Sequence, residues 1–561
     1  MKTILAACCI FLLQISAASA SLIVTKTDTA SSAMTAAAHP EAAKAGIEIL
    51  QNGGNAVDAA AAMAFVIGVV EPHASGLGGG GGMLIYLEKD SSLNYIDYYM
   101  QSSQNADTAF SNKEDLFTPR SVCIPGTAAG LISAVKKYGR LPLAEVIEPA
   151  VQLARDGFVI SEKFYAGILD KLEVITLHQE TQNLFFKDDF PLAEGDTLKN
   201  LQLADVLVNL SEQGEDYFYR GAFAEKAAQD IKSSGGYISK EDFAAYRPVF
   251  KKPVSISYKD FQIYSAPAPQ SGTTLLEILN IFENVPQKDG CFADNPSLIH
   301  YFCEAVLRAD ADRYKYIGDP SVFDIPMEGL LNEAFALQRF KDIEADKIKY
   351  AFDEYIPAGR LPNLIIEQDS RKKPPHDGTH TTHISVVDAE GNAVSLTQTL
   401  GLYFGSGFSS QGVIFNSAMS VFYEKPSPNH IGPRRRPMTT ISPTMIMENN
   451  ELRAVIGTPG GGRIFNVLAQ IIVRLLDFNF SAKEAVAAPR FNIRLSSKKL
   501  NMEGRFPEAS LAALAKMGYN LDIRETFTSY FGGVQLIVYD ETLNKYIGIS
   551  DMRRDGGALG Y

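Results

Sequence analysis

The sequence predicts an α+β fold in which helices cover strand-rich layers. The segment 56–70 is small and apolar throughout, which is typical of a helix buried on every side. A long apolar helix is also predicted at 463–476. Strand patterns dominate 381–399, 440–448 and 452–457. Buried helices on both sides of strand-rich hairpins indicate stacked layers.

The other elements follow from the same periodicities. A helix from Pro40 to Gln51 ends at Gly53 and Gly54, where glycine stops a helix. Further helices are predicted at 127–138, 143–155, 272–284 and 296–316, and further strands at 81–87, 93–98, 411–416, 533–539 and 545–550. No fixed-period repeat is present, which excludes a solenoid or propeller.

The first twenty residues predict a signal peptide. Lys2 is the basic start, Ile4 to Ile15 is the apolar core, and Ala18-Ser19-Ala20 is a small-residue cleavage site. Lipidation at Cys8 is disfavoured because almost no apolar segment would precede it. No later segment has the ~20 apolar residues of a membrane helix. We therefore expect export to the periplasm or exterior, without an integral membrane segment.

Net charge bears on the expected binding partners, and cysteine content bears on the expected disulfides. The net charge is −13, and the basic run Arg434 to Arg436 is isolated, so nucleic acid is not an expected partner. After signal removal Cys123, Cys291 and Cys303 remain, which is not a disulfide framework. Cys291 and Cys303 either pair or stay as free thiols, and the sequence leaves both open.

A threonine stands where a polar, proline-bearing stretch meets a predicted hairpin. Residues 351–380 are predicted to be a mobile tail that leads to Thr381, the start of a strand that turns at 390–392. A cut before Thr381 would give it both a hydroxyl and a free α-amine. An α-amine has a pKa of about 8, so one residue could supply nucleophile and general base. An ordinary strand threonine is the alternative.

Several short motifs occur along the chain. Each alone is weak evidence for a family, but their combination, order and spacing are highly specific. The first is the segment Thr381 to Asp388, which looks like a self-cleavage site. The others are 39–43, 53–60, the glycine run 78–82, 125–127, 154–158, 318–320, 437–444, 457–461 and the closing Gly560-Tyr561. On these residues the chain resembles the γ-glutamyltransferase (glutathione hydrolase) family of N-terminal-nucleophile (Ntn) hydrolases, from about His39 to Tyr561.

The resemblance implies a fold and a maturation route. The fold is the four-layer αββα sandwich, with two sheets between helical layers. The precursor is cut between His380 and Thr381, which divides it into a large subunit, 21–380, and a small catalytic subunit, 381–561. These two subunits form one heterodimeric unit.

The resemblance also assigns roles at the site. Thr381 would be nucleophile and base, Thr399 would orient its hydroxyl, and Gly460 and Gly461 would form the oxyanion hole. For Thr399 a cross-strand threonine pair is the alternative. Thr439 and Thr440 replace the family's usual serine pair beside the substrate and keep the hydroxyls.

Three other kinds of site, for phosphate, dinucleotide or metal, have less support in the sequence. No Gly-Lys-Ser/Thr follows Gly460, which argues against a phosphate loop. The run 78–82 lacks dinucleotide spacing and is expected to allow close backbone packing. A metal site at His376, His380 and His383 is disfavoured because carboxylate or cysteine ligands are missing, and His383 is expected near the core. We expect no metal and no cofactor.

The substrate contacts depart from the family pattern. Tyr99 stands where an arginine would bind the substrate's α-carboxylate, and Gly401 stands where an asparagine is expected. The segment 416–422, which includes Val421, lacks the aspartate for the α-amine. Arg120 or one of Arg434 to Arg436 could replace the arginine. The losses predict poor binding of free γ-glutamyl compounds.

Three functions follow from these residues. The first is a γ-glutamyltransferase-like enzyme that hydrolyses or transfers a γ-glutamyl or related acyl group of a small-molecule or peptide amide. The second is an acylase for a non-glutamyl acid. The third, of another class, is a processed but inactive binding protein, against which the presence of Thr381, Thr399 and the Gly460-Gly461 pair argues.

Overall fold

Two antiparallel seven-stranded sheets form the centre of the protein. The computed structural model describes residues 24–106, 109–286, 288–350, 354–361 and 380–561, with His380 described by its backbone alone. The predicted signal peptide and most of the predicted tail lie outside these ranges. The mobility of the tail therefore stays a prediction. In spatial order, sheet A contains Gly557–Gly560, Met34–Ala37, His380–Val387, Ala393–Gly401, Gly80–Leu87, Ser92–Tyr98 and Val249–Lys251.

Sheet B lies face to face with sheet A. In spatial order it contains Thr27–Ala30, Lys545–Ser550, Gln535–Asp540, Glu451–Gly457, Thr444–Glu448, Phe261–Ser265 and Val254–Tyr258. The strand His380–Val387 contacts both Glu451–Gly457 and Gln535–Asp540 across the interface between the sheets. Each sheet therefore combines strands from before and after residue 380.

Helices cover the outer face of each sheet. Sheet A is covered mainly by Pro40–Gln51, Ala56–Val70 and Thr127–Tyr138, and Leu143–Asp156 and Leu201–Gln213 pack outside Ala56–Val70 in the same large core cluster. Sheet B is covered by Gly272–Glu283 and Ile464–Leu476, and Pro296–Tyr316 packs on Gly272–Glu283. The predicted four-layer αββα architecture is confirmed.

Shorter elements complete the fold. The other helices are Glu162–Asp170, Leu172–Ile175, Gln179–Phe185, Glu215–Tyr219, Ala222–Ser233, Lys240–Ala245, Met327–Leu330, Glu333–Lys341, Ala482–Ala487 and Glu508–Lys516. The other strands are Phe158–Val159, Phe186–Lys187, Phe190–Pro191, Thr197–Leu198, Ser409–Ser410, Val413–Ile414, Phe491–Asn492, Lys499–Glu503 and Asn520–Arg524. Within the described ranges, none of the helices is long and apolar enough to cross a membrane.

Two predicted strands differ from the structure. The strand predicted at 411–416 is interrupted at its start because Gln411 and Gly412 have φ values of 53° and 73° and turn the chain. The strand predicted at 440–448 begins only at Thr444, where pairing with Ser265 starts. Pro443 directly before it has no N–H to donate to a ladder.

The open question about the cysteines is answered. Cys123, Cys291 and Cys303 are free thiols, so Cys291 and Cys303 do not pair. Cys123 and Cys303 are buried, and the Cys291 thiol donates a hydrogen bond to Asp294 Oδ2 at 3.2 Å. Burial raises the pKa of the Cys123 and Cys303 thiols, which disfavours the reactive thiolate.

The glycine run lies directly against the backbone of the strand Ala393–Gly401. A Cβ atom on Gly79 would lie 2.3 Å from the carbonyl oxygen of Thr399, and one on Gly81 would lie 2.4 Å from that of Thr397. These distances leave no space for a side chain. The expectation of close backbone packing is confirmed, and it fixes the backbone of Thr399 from one side.

Asp388 ties the turn after the Thr381 strand to the helix below it. Its Oδ1 accepts the N–H groups of Glu390 and Asn392 at 2.9 and 3.0 Å. Its Oδ2 accepts the N–H of Ala56 at 2.9 Å, in the first turn of the helix Ala56–Val70. A carboxylate at a helix N-terminus is also favoured by the helix dipole. Asp388 therefore fixes the hairpin on its supporting helix.

We predict that Asp388→Ala destabilises the protein by on the order of 2–4 kcal/mol, because buried N–H groups lose their acceptor. Thermal unfolding of the purified variant measures the effect. Asp540→Ala is the matched control, since Asp540 Oδ1 accepts one N–H, from Leu543, at an exposed turn. Equal melting temperatures for the two variants would contradict the proposed role of Asp388.

Candidate active site

Thr381 lies near the start of a central strand of sheet A, where the ladder is irregular. His380 pairs with Gly401, but Thr381 pairs with Thr399, so the register shifts between the two pairs and Leu400 has no opposite residue. Such irregularities redirect side chains at the end of a strand. The hairpin thus places the two threonines directly opposite each other.

The two threonine hydroxyls are in contact. Thr381 Oγ1 donates a hydrogen bond to Thr399 Oγ1 at 3.2 Å, and Thr399 Oγ1 also accepts the N–H of Gly401 at 2.9 Å. Both side chains are at most 3% exposed. Because its oxygen accepts two donors, Thr399 restrains the direction of the Thr381 hydroxyl. The arrangement suits an oriented nucleophile, and the catalytic role itself stays a prediction.

The glycine loop lies between strand Glu451–Gly457 and helix Ile464–Leu476. Gly460 and Gly461 have φ values of 143° and 56°, which residues other than glycine rarely adopt. Thr458 Oγ1 anchors the loop by accepting the N–H of Gly533 at 3.0 Å. Backbone N–H groups at the start of a helix stabilise negative charge, so this geometry is compatible with an oxyanion site.

A cleft opens over the Thr381 hydroxyl. The described residues that line it are Tyr99, Arg313, Thr381, Thr399, Gly401, Leu402, Ser420, Val421, Tyr423, Met438, Thr439, Thr440, Ile441, Gly462 and Arg494. The cleft therefore brings together Thr381, Thr399 and the predicted substrate-binding residues. Of the glycine loop, Gly462 lines it, whereas Gly460 and Gly461 lie immediately before. The sequence analysis missed Gly462, although it continues the same glycine run.

Thr439 is held from two sides. Its carbonyl oxygen accepts the Ser271 hydroxyl at 2.7 Å, and its Oγ1 accepts the N–H of Ile441 at 3.4 Å. Burial raises the pKa of Tyr99 to about 12, so this side chain remains a neutral phenol. Tyr99 therefore offers no positive charge to a substrate carboxylate.

The residues proposed as replacements for the missing arginine lie elsewhere. Arg120 pairs with Asp115 at 3.1 Å, and Arg436 lies 3.9 Å from the buried Asp97. In the described structure, neither these two nor Arg434 and Arg435 line the cleft. Its charged lining residues are instead Arg313 and Arg494. No local motif marks either residue, because each reaches the cleft from a distant part of the chain.

His383 is buried between the two sheets, as expected. Its Nδ1 is 2.8 Å from Thr397 Oγ1, and its Nε2 is 3.1 Å from Ser385 Oγ. Burial lowers its pKa to about 3, which keeps the imidazole neutral. The two hydroxyls engage both nitrogens that a metal would use. His376 and the side chain of His380 lie outside the described residues.

The model of the family described as Gamma-glutamyltranspeptidase matches residues 42–561. The chain belongs to this family. The glutathione hydrolase proenzyme of Escherichia coli (strain K12) is 35% identical over 527 residues, which cover 88% of this chain and 87% of that protein. Family membership makes the chain a hydrolase or transferase that acts on amide bonds.

Two solved structures are similar to the chain. The cephalosporin acylase from Bacillus halodurans has a TM-score of 0.84 and 26% identity, covering 96% of this chain and 97% of that one. Helicobacter pylori gamma-glutamyltranspeptidase has a TM-score of 0.53 and 34% identity, covering 55% of this chain and 91% of that one. Both support the Ntn-hydrolase fold.

We predict that Gly401→Asn, which restores the family's expected residue, impairs the enzyme. Gly401 has a φ of 90°, and a Cβ atom there would lie 2.9 Å from Ser417 Oγ. The strained backbone costs about 1–3 kcal/mol. Thermal unfolding and amidase assays should show losses for Gly401→Asn. Gly401→Ala, which adds only the Cβ, should reproduce most of the loss of stability; higher activity in Gly401→Asn would refute this account.

Proposed function

We propose that this chain is an exported, self-processing amidase of the γ-glutamyltransferase type with Thr381 as its nucleophile. The observation that carries the proposal is the 3.2 Å hydrogen bond from the Thr381 hydroxyl to Thr399 at the base of the cleft. The predicted signal peptide supports export, with the mature chain starting at Ser21. Relatives named proenzymes support maturation by cleavage.

Self-processing begins at the peptide bond before Thr381. The Thr381 hydroxyl attacks the carbonyl carbon of His380, a C–O bond forms, and the C–N bond breaks. The resulting ester links His380 to Thr381 Oγ1, and the former amide nitrogen becomes the α-amine. Water then hydrolyses the ester, which leaves a carboxylate on His380 and restores the hydroxyl. The products are the subunits 21–380 and 381–561.

The same hydroxyl then acts on substrate. The α-amine of Thr381 takes the hydroxyl proton as Oγ1 attacks the amide carbonyl, and Thr399 keeps the oxygen in line. The N–H groups of Gly460 and Gly461 stabilise the oxyanion. The amine product leaves with a proton from the α-ammonium, and water or another amine resolves the acyl-enzyme. No metal or cofactor has a part in this scheme.

The acyl group distinguishes two candidate activities. A γ-glutamyl donor is the family's reaction, whereas an acylase for a dicarboxylic monoamide is favoured by the cleft lining. Among the described lining residues there is no carboxylate to bind an α-amine. Gly401 and Val421 are present where an asparagine and an aspartate were expected. The similarity to a cephalosporin acylase supports the second activity.

We predict that Thr381→Ala remains a single chain, because alanine lacks the attacking hydroxyl. The wild-type protein should give two chains, Ser21–His380 and Thr381–Tyr561, of about 360 and 181 residues on denaturing gels. Intact-mass analysis establishes both N-termini. Thr382→Ala is the control and should still be cut before Thr381. Cleavage of Thr381→Ala at the same bond would mean that another protease makes the cut.

We predict similar kcat/KM for γ-glutamyl and glutaryl p-nitroanilides. The two donors differ only in the α-amino group, which has no described carboxylate to contact in the cleft. In a site that binds this amine, its loss should cost on the order of 2–4 kcal/mol, roughly a hundredfold or more. A strong γ-glutamyl preference would favour the glutathione hydrolase activity. Failure of an electrophilic amide analogue to label Thr381 would favour a binding protein.

A further inference from the structure

The cleft over Thr381 has a positively charged wall. Of the described residues that line it, Arg313 and Arg494 carry a full charge, and both charges are positive. They are 5% and 7% exposed, respectively, so both guanidinium groups are largely shielded from water. An interaction between charges is stronger in such a place than at the surface.

Arg313 is fixed from the large-subunit side. It lies in the helix Pro296–Tyr316, where its Nε donates to the Ser271 hydroxyl at 2.9 Å and its Nη1 lies 3.4 Å from Asp310 Oδ1. The guanidinium also lies over the Phe465 ring at 5.7 Å. Phe465 is in the first turn of the helix that follows the glycine loop, so Arg313 is held beside that loop.

Arg494 reaches the same wall from the small-subunit side. A Cβ atom on Gly462 would lie 2.5 Å from Arg494 Cζ, so the guanidinium packs directly on the glycine-loop backbone. The next residue, Leu495, donates its N–H to Asp310 Oδ2 at 3.2 Å. Asp310 therefore contacts Arg313 with its Oδ1 and the backbone next to Arg494 with its Oδ2, and so it connects the two segments.

A carboxylate is the ligand that this wall suits best. A guanidinium presents N–H donors in a planar fork that matches the two oxygens of a carboxylate. The cleft provides no described carboxylate as a partner for an amine, and Tyr99 provides a neutral hydroxyl. The acyl group should therefore carry one negative charge, and it does not need a positive one.

We propose that Arg494 and Arg313 form a carboxylate-binding subsite that selects acyl donors with a second, free carboxylate. The substrates are amides of dicarboxylic acids, of which a γ-glutamyl amide is one case and a glutaryl amide another. This inference rests on the proposed function of Thr381. Arg494 is the direct contact, whereas Arg313 also positions Ser271 and, through it, Thr439.

The test compares glutaryl with pentanoyl p-nitroanilide, which have five-carbon acyl chains and differ in the terminal carboxylate. The wild-type enzyme should prefer the glutaryl donor. Arg494→Gln should lower kcat/KM for glutaryl roughly 10- to 100-fold, the range for a charge-assisted contact, and change pentanoyl less than about threefold. Arg494→Lys keeps the charge and should fall between. Arg220→Gln, at an exposed pair with Asp216, is the control.

Two measurements distinguish a loss of carboxylate binding from a general structural effect of the substitutions. Intact mass should show normal cleavage before Thr381 in each variant. In the wild-type enzyme, glutarate should inhibit competitively at least tenfold more tightly than pentanoate, which needs no variant. Equal losses on both anilides, or equal inhibition by the two acids, would overturn the subsite and leave the proposed function intact. A correctly processed wild-type enzyme that cleaves neither of these anilides nor γ-glutamyl p-nitroanilide would overturn both.

Discussion

The pairing of two strands in the middle of sheet A is the constraint on which the site depends. The ladder between His380–Val387 and Ala393–Gly401 sets Thr381 opposite Thr399. Further strands of sheet A pair with the outer edges of this hairpin, sheet B packs on one face and the helix Ala56–Val70 on the other. A one-residue slip would turn every side chain to the wrong face, so burial on both faces fixes the register. Thr381, the proposed nucleophile, is thus positioned by the core.

The same layered burial explains the chemistry available in the cleft. His383 and Tyr99 are kept neutral by burial, so neither contributes a charge near Thr381. The positive charge comes from Arg313 and Arg494, which are braced by Asp310 and by the start of a helix. A scaffold that retains the threonine pair and glycine loop while relocating its charged groups can keep one reaction and change its acyl donor.

Much of the fold could be predicted from sequence because its signals are local. The helices Pro40–Gln51, Ala56–Val70 and Pro296–Tyr316 have the bounds that periodicity and caps indicate. Strand ends were less accurate, since Gln411-Gly412 and Pro443 interrupt pairing in ways that residue alternation does not reveal. The Thr381–Thr399 contact, which the family resemblance implied, forms within a single hairpin and is also local. The sequence left open whether Cys291 pairs with Cys303, because a disulfide depends on the distance between the two residues in the folded protein.

The sequence by itself determined the family, the layered fold, the candidate nucleophile and the absence of the expected clamp at Tyr99, Gly401 and 416–422. These properties reside in contiguous motifs, whose residues are neighbours along the chain. Only the tertiary structure decided which charges face the cleft. Arg313 and Arg494 are far apart in the sequence, and they meet because the Arg313 guanidinium lies over Phe465 while the Arg494 guanidinium packs on Gly462, close to Phe465 along the chain. Packing of distant segments leaves no periodic or motif signal in a single sequence.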